Sequence, residues 1–172
     1  MKKSLILFSA AMLFGACQAD NQAVYNDDQT TSVETIEASI SETGFNANLA
    51  KELGADPYGM RQYVFATLLT GPNDALITDE AERAKLFEGH FSNMSRLAEE
   101  GKLVLAGPFM EAPPKRGLFI FNVTTIEEAE ALVQSDPSIA AGIFKVEFAK
   151  YYGSAALMQI NDVHKTIQEK DM

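Results

Sequence analysis

The chain has 172 residues, with 24 acidic and 14 basic side chains, a net charge of −10, one cysteine and no tryptophan. This length favours one compact domain with extensions over a two-domain enzyme with a large cleft. The excess of carboxylates and the lack of a basic patch argue against nucleic acid as a partner, and a lone cysteine cannot form an internal disulfide or a multi-cysteine metal site.

Residues 1–17 have the pattern of an export signal. Two lysines supply a positive start, a short apolar core follows, and small residues precede Cys17. This core is shorter than the roughly 18 to 20 apolar residues that span a bilayer. The run Leu-Phe-Gly-Ala-Cys at 13–17 resembles the bacterial lipobox, whose cysteine is lipidated and becomes the new N-terminus. Phe14 departs from the aliphatic residue usual at its position.

The lipobox resemblance implies that acyl chains on Cys17 anchor the protein to a membrane. Gln18, the next residue, is similar to that of lipoproteins sorted to the outer membrane. The expected location is therefore the bacterial cell envelope, on the outer membrane facing the periplasm. The alternative is an ordinary signal peptide cut near Ala16 or Ala19, which leaves Cys17 as a free thiol.

Residues 18–57 are predicted to form a flexible acidic tether. They carry eight acidic residues against Lys51 alone, and large apolar residues are sparse. Such a segment buries too little apolar surface to offset the entropy of ordering. Near its end, the sequence from Asn46 to Leu53 favours a short helix that Gly54 ends.

Residues 58–156 are predicted to form the folded domain, with four strands and two main helices. The expected segments are a strand at 63–69, a helix from its cap at Thr78 to Gly101, strands at 103–106 and 117–123, a helix opened by Thr125 and Glu128, a turn at Asp136-Pro137, and a strand at 143–151. This βαββαβ order predicts an α+β fold of the ferredoxin-like plan, with helices on one face of an antiparallel sheet. Since the strands are also apolar on the other face, we expect that open face to form a homodimer.

The long helix contains the most informative single residue, His90. The expected inward positions of this helix are Leu86, Phe87, His90, Phe91, Met94, Leu97 and Ala98. A buried imidazole needs a hydrogen-bond partner. On position alone, a structural histidine bonded to a carbonyl and a functional histidine are equally consistent with the pattern. Asp136 could be the partner, although its position before Pro137 is also explained by helix capping.

Several runs of the domain together resemble the YciI-like (YCII-related) family over residues 60–152. They are Thr-Gly-Pro at 70–72, His90, Glu-Gly-Lys-Leu-Val-Leu-Ala-Gly-Pro-Phe at 100–109, Glu-Glu-Ala-Glu-Ala-Leu at 127–132, and Asp136-Pro137. The resemblance implies a dimeric α+β barrel. It also implies an active site in which His90 and Asp136 are the catalytic pair, where the carboxylate orients the imidazole for general acid/base work.

Three residues at the end of the second strand are predicted to belong to the substrate pocket. Gly107 and Pro108 are expected to shape the strand end, and Phe109 is either pocket wall or ordinary packing. Arg116 could bind an anionic group, but a lone loop arginine is usually solvated, so the predicted site does not include it.

The tail, residues 157–172, has helical spacing of apolar residues and could dock on the domain or on its dimer mate. These apolar residues are Leu157, Ile160, Val163 and Ile167. His164, within the tail, is expected to be a surface residue.

The net charge is divided unevenly among the segments: it is +2 for 1–17, −7 for 18–57, −4 for 58–156 and −1 for the tail. Most of the acidity therefore belongs to the tether.

The leading functional hypothesis is a small-molecule enzyme of the hydrolase, lyase or isomerase type that uses the His90–Asp136 pair. The sequence contains no metal-ligand cluster, phosphate-binding loop or dinucleotide fingerprint, so we expect no metal and no cofactor. One alternative is a non-catalytic envelope lipoprotein that binds a small ligand or partner through the same fold. Another is a haem- or oxygen-handling barrel.

Overall fold

The computed structural model describes residues 44–170. The predicted signal segment, Cys17 and most of the predicted tether therefore lie outside the described residues. The elements are α1 Ala47–Glu52, β1 Met60–Thr70, α2 Glu80–Glu99, β2 Leu103–Pro108, β3 Lys115–Phe121, α3 Ile126–Val133, α4 Pro137–Ala140, β4 Phe144–Ser154, a 3-10 helix Ala155–Gln159, and α5 Ile160–Ile167. Within this range, no helix is both long enough and apolar enough to cross a membrane.

The four strands form one antiparallel sheet in the order β2-β3-β1-β4. With α2 between β1 and β2, and α3 and α4 between β3 and β4, the chain has the predicted βαββαβ order. The mixed α+β class and the ferredoxin-like plan are therefore confirmed. The dimer remains a prediction.

Local signals explain most helix boundaries. The Asn46 side chain caps α1, as the predicted short helix requires, and Thr125 with Glu128 forms the predicted capping box of α3. The start of α2 differs from the prediction by one residue. Asp79, not Thr78, is the N-cap, and its carboxylate accepts a hydrogen bond from the Glu82 amide at 2.8 Å.

Strand lengths follow pairing more than local propensity. β4 extends to Ser154 because it pairs with all of β1, from Met60 opposite Ser154 to Thr70 opposite Phe144. β3 begins at Lys115, two residues earlier than predicted, and ends at Phe121. The ends of both strands were set by partners elsewhere in the chain, which local sequence does not reveal.

One face of the sheet packs against the helices and forms the main core. Val64, Ala66 and Leu68 alternate along β1 toward this face, as the period of two in a strand requires. The helices contribute the buried residues Leu97, Ala129 and Val133. One expected inward residue of α2 is not in this core: Phe91 is 49% exposed.

The other face of the sheet is partly covered by the C-terminal tail. Tyr63 and Ile120 are buried there, and Leu157 and Met158 of the 3-10 helix pack against their cluster. The tail is helical and docks on the domain, as the spacing of its apolar residues allowed. Further along α5, Val163 and Ile167 are exposed.

Candidate active site

His90 occupies the inward side of α2 and is only 7% exposed. Four phenylalanine rings surround its imidazole ring. The distance between ring centroids is 5.4 Å to Phe91 and to Phe144, 6.0 Å to Phe119 and 6.2 Å to Phe87. These contacts hold the imidazole plane in place and exclude water from most of its edge. A histidine so placed must find a polar partner for the nitrogen that is buried.

The partner comes from the turn before α4. Asp136 is the N-cap of α4, with Pro137 at its first position, and it is 1% exposed. One carboxylate oxygen, Oδ1, accepts hydrogen bonds from the Ser138 amide at 2.9 Å and from the Ser138 hydroxyl at 2.6 Å. The capping role does not occupy the whole carboxylate, because these bonds leave the other oxygen available.

That second oxygen, Oδ2 of Asp136, lies 2.5 Å from Nδ1 of His90. Burial raises the pKa of Asp136, but the hydrogen bonds from His90 and Ser138 outweigh burial and hold this pKa below its ordinary value. The carboxylate is therefore ionised near neutral pH and can only accept hydrogen bonds. It follows that Nδ1 of His90 carries a proton. The hydroxyl oxygen of Ser138 lies 3.2 Å from the same nitrogen.

The remaining ring nitrogen of His90 is left free by this arrangement. Within residues 44–170, Nε2 makes no hydrogen bond, and every fully buried side-chain nitrogen or oxygen there has a partner. Nε2 therefore keeps some contact with solvent, although the His90 side chain as a whole is only 8% exposed. In the neutral imidazole it holds the lone pair, so it can accept a proton from a small molecule.

Gly89 allows the two halves of the site to approach. A Cβ built at this position would lie 2.4 Å from Cγ of Pro137. No side chain larger than hydrogen fits there without moving α2 away from the turn that carries Asp136. Gly89 is therefore a positioning residue for the His90–Asp136 pair.

Asn93 and the loop after β1 also fix the Asp136 turn. The Asn93 side chain, buried on α2, accepts a hydrogen bond from the hydroxyl of Ser135 at 2.8 Å. Beyond the C-terminal end of α4, the amide of Gly71 donates to the carbonyl of Ile143 at 2.7 Å. These two bonds therefore hold the segment that carries Asp136 on both sides of α4.

The structure brings His90 and Asp136 into contact, as the sequence analysis expected, but the sequence analysis missed three residues that support this contact. Glycine is unfavourable inside a helix, so its presence at position 89 was a signal in the sequence that close packing requires it there. Ser138 follows an Asp-Pro turn, where a hydroxyl can bond back to the cap, but no pattern indicated its contact with His90. The burial of Asn93 depends on the tertiary structure alone.

The predicted pocket residues lie at the end of β2. Gly107 pairs with Leu118 and Pro108 pairs with Gly117, while Phe109 is half-buried just beyond the strand. Within residues 44–170 no hydrogen bond, ion pair or ring contact joins them to His90, and their pocket role remains a prediction.

Two surface cavities lie away from His90. One is lined by Gln62, Tyr63, Thr124, Lys150, Tyr151 and Tyr152. The second is formed by the tail and includes His164, which is exposed as expected. Among residues 44–170 there is no group of three or more His, Cys, Asp or Glu side chains that could hold a metal ion.

The model of the YCII-related domain matches residues 64–148. The chain contains a YCII-related domain. This confirms the resemblance to the YciI-like family for that range, which includes both His90 and Asp136. Curated proteins provide no match to the chain.

A solved structure of limited similarity is a 5-chloro-2-hydroxyhydroquinone dehydrochlorinase from Burkholderia phenoliruptrix, in complex with 2,5-dihydroxybenzoquinone. The two chains are 15% identical, and the match covers 53% of this chain and 93% of that chain with a TM-score of 0.39. A similarity of this degree carries no argument about activity.

Proposed function

We propose that the YCII-related domain is a small-molecule enzyme in which His90 and Asp136 perform general acid/base chemistry of the hydrolase, lyase or isomerase type. The observation that carries the proposal is the contrast between the two nitrogens of His90. Nδ1 is held at 2.5 Å from a buried carboxylate, whereas Nε2 has no partner within residues 44–170. A histidine kept only for packing gains nothing from a ring nitrogen that has no partner.

In the proposed cycle, Nε2 of His90 accepts a proton from the substrate, or from a water that attacks it. Asp136 stabilises the resulting imidazolium and keeps its ring orientation, without itself taking the proton. Nε2 then returns the proton to the leaving group or to a different atom of the substrate. No step requires a group outside the chain, in keeping with the expectation of a cofactor-independent reaction.

Turnover of a compound panel tests this proposal. Small carbonyl, ester and chlorinated compounds are incubated with the wild type, with His90→Ala, and with His164→Ala as the matched histidine control. Loss of a general base costs about 10²- to 10⁴-fold in rate. We expect that loss in His90→Ala and none in His164→Ala. A compound turned over equally by the wild type and His90→Ala would contradict the role of His90, and no turnover at all would favour a ligand-binding module.

We further propose that the protein is a lipoprotein of the cell envelope, anchored through Cys17 and facing the periplasm. The support is the sequence at 13–17, which resembles a lipobox, and the acidic segment that follows it. A homodimer formed through the second sheet face is part of the same proposal. Its support is the aromatic surface left on that face, where Tyr151 lies opposite Tyr63 and is 39% exposed.

A further inference from the structure

Two arginines, Arg83 and Arg116, share the carboxylate of Asp74. Asp74, in the loop after β1, is bonded through Oδ1 to Nη2 of Arg83 at 2.5 Å and through Oδ2 to Nη1 of Arg116 at 3.0 Å. Two positive charges therefore face one negative charge, and the cluster keeps a net charge of +1. The hydrogen bond from Arg83 and the charge of Arg116 hold the pKa of Asp74 below its ordinary value, so the carboxylate stays ionised.

A β-bulge directs Arg116 toward this cluster. Gly117 of β3 pairs with Leu68 of β1, but the next residue of β1, Leu69, pairs with Lys115. Arg116 is the extra residue and has no partner on β1. Bulges redirect side chains out of the regular alternation of a strand, and they are frequent beside active sites.

The bulge brings the guanidinium of Arg116 to the same phenylalanine that contacts His90. Cζ of Arg116 lies 5.6 Å from the ring centroid of Phe144, and the His90 ring lies 5.4 Å from that centroid. The separation between the guanidinium and the imidazole cannot exceed the sum of these distances. A small organic molecule is large enough to contact both.

Arg83, unlike Arg116, has several other partners besides the Asp74 carboxylate. Arg83 stacks on Phe87 and also donates to the backbone carbonyls of Asp74 and Ile77. It is thus largely occupied in fixing the loop. Arg116 makes one hydrogen bond, to Asp74, and its Nε and Nη2 make none within residues 44–170. Its side chain is 35% exposed, so these donors are available to a ligand.

From this juxtaposition we infer that the site takes small organic acids, and that Arg116 binds the carboxylate of the substrate while His90 exchanges a proton with the rest of the molecule. A guanidinium presents paired N–H donors that match a carboxylate. Asp74 and the Phe144 ring hold this fork in place. The inference rests on the proposed function of His90 and specifies its substrate class. It also revises the expectation that Arg116 is merely solvated.

Binding of benzoate, with benzamide as its uncharged counterpart, tests the inference. The full chain is titrated with each compound while the imidazole signals of His90 are followed by NMR. We expect a saturable shift with benzoate and none with benzamide. A response to both compounds alike, or to neither, would overturn the carboxylate preference.

Three variants locate the binding. Arg116→Gln removes the charge and is expected to weaken benzoate binding by roughly tenfold or more. Arg116→Lys keeps the charge without the fork and should bind with intermediate affinity. Lys85→Gln is the charge-matched control, since Lys85 is exposed on α2, and it should bind as the wild type does. Because Arg83 still pairs with Asp74 in the Arg116 variants, we expect them to fold; unchanged benzoate affinity in either would overturn the inference.

Failure of this inference and failure of the proposed function give different results. If a compound is turned over by the wild type, lost in His90→Ala and unaffected in Arg116→Gln, the anion subsite is refuted and the role of His90 stands. If benzoate binds in an Arg116-dependent way but no compound is turned over, the subsite stands and the catalytic proposal fails.

Discussion

Replacing Gly89 by alanine should separate His90 from Asp136 while leaving the domain folded. The added Cβ would lie 2.4 Å from Cγ of Pro137. Since carbon atoms pack at about 3.5 to 4.0 Å, the two elements must move apart by roughly 1 to 1.5 Å. His90 directly follows Gly89 and Asp136 directly precedes Pro137, so this movement falls on the bond between Nδ1 and Oδ2. The distance between these two atoms, now 2.5 Å, would then be longer than a normal hydrogen bond.

Two packing terms of Gly89→Ala oppose each other, and the loss of the His90–Asp136 hydrogen bond adds to the cost in stability. Overpacking costs about 1 to 3 kcal/mol. Replacing glycine in a helix interior regains about 1 kcal/mol. Packing alone should therefore cost no more than about 2 kcal/mol in the free energy of unfolding, and the lost hydrogen bond to the buried Asp136 carboxylate should add about 1 to 3 kcal/mol. Turnover is expected to fall about 10²-fold, the effect of a misplacement of about 1 Å at a reacting group.

The assay combines urea unfolding with proton NMR of the Nδ1 proton of His90, whose signal reports its hydrogen bond. We expect Gly89→Ala to lose or strongly shift this signal. Pro137→Ala removes the clashing Cγ and leaves Cβ, 3.5 Å from the new methyl group, as the nearest remaining side-chain atom of residue 137. The Gly89→Ala/Pro137→Ala double variant should therefore recover the signal.

Two results would refute this reasoning. One is a Gly89→Ala variant whose Nδ1 signal and stability match those of the wild type, which would mean that the close approach is easily relieved elsewhere. The other is a double variant whose Nδ1 signal is the same as that of Gly89→Ala. That result would mean that the contact with Pro137 does not set the position of His90.

Four further predictions concern the support of the site, its pH dependence and the assembly. Ser138→Ala, which removes a hydroxyl bonded to a buried carboxylate, should cost about 1 to 3 kcal/mol in urea unfolding, and an unchanged midpoint would contradict this. Because the folded pKa of Asp136 lies below its ordinary 3.8, its contribution to stability is present above pH 3.8 and is lost as the pH falls through the folded value. Asp136→Asn should accordingly show a smaller loss of stability on acidification, and an equal loss would count against the linkage. Cys17→Ala should release the protein from membranes, so continued membrane binding would exclude the lipid anchor. Light scattering at micromolar concentration should give the mass of a dimer, and a monomer mass would exclude the proposed face-to-face assembly.

The order of elements was accessible from sequence because its signals are local. The alternation of Val64, Ala66 and Leu68, the capping box at Thr125 and the cap at Asp136 each depend on neighbours within a few residues. The pairing of His90 with Asp136 was expected from the family resemblance together with the inward position of the histidine. The physical pattern alone left a structural histidine equally consistent.

The supporting residues of the site were not accessible because their roles arise between distant segments. Gly89 is required only where Pro137 crosses it, and the bulge at Arg116 exists only in the register between β3 and β1. A lone arginine in the sequence looks solvated. Its stacking on Phe144 and its bond to Asp74 become visible only once three segments meet.

The most direct test of the central claim is the tautomer of neutral His90, measured by nitrogen-15 NMR in a His164→Gln variant that retains one histidine. A carboxylate at 2.5 Å from Nδ1 predicts a proton on Nδ1 and a lone pair on Nε2 that responds to solvent. A proton found on Nε2, or an Nε2 shielded from solvent, would contradict the proposal that His90 acts as a general base.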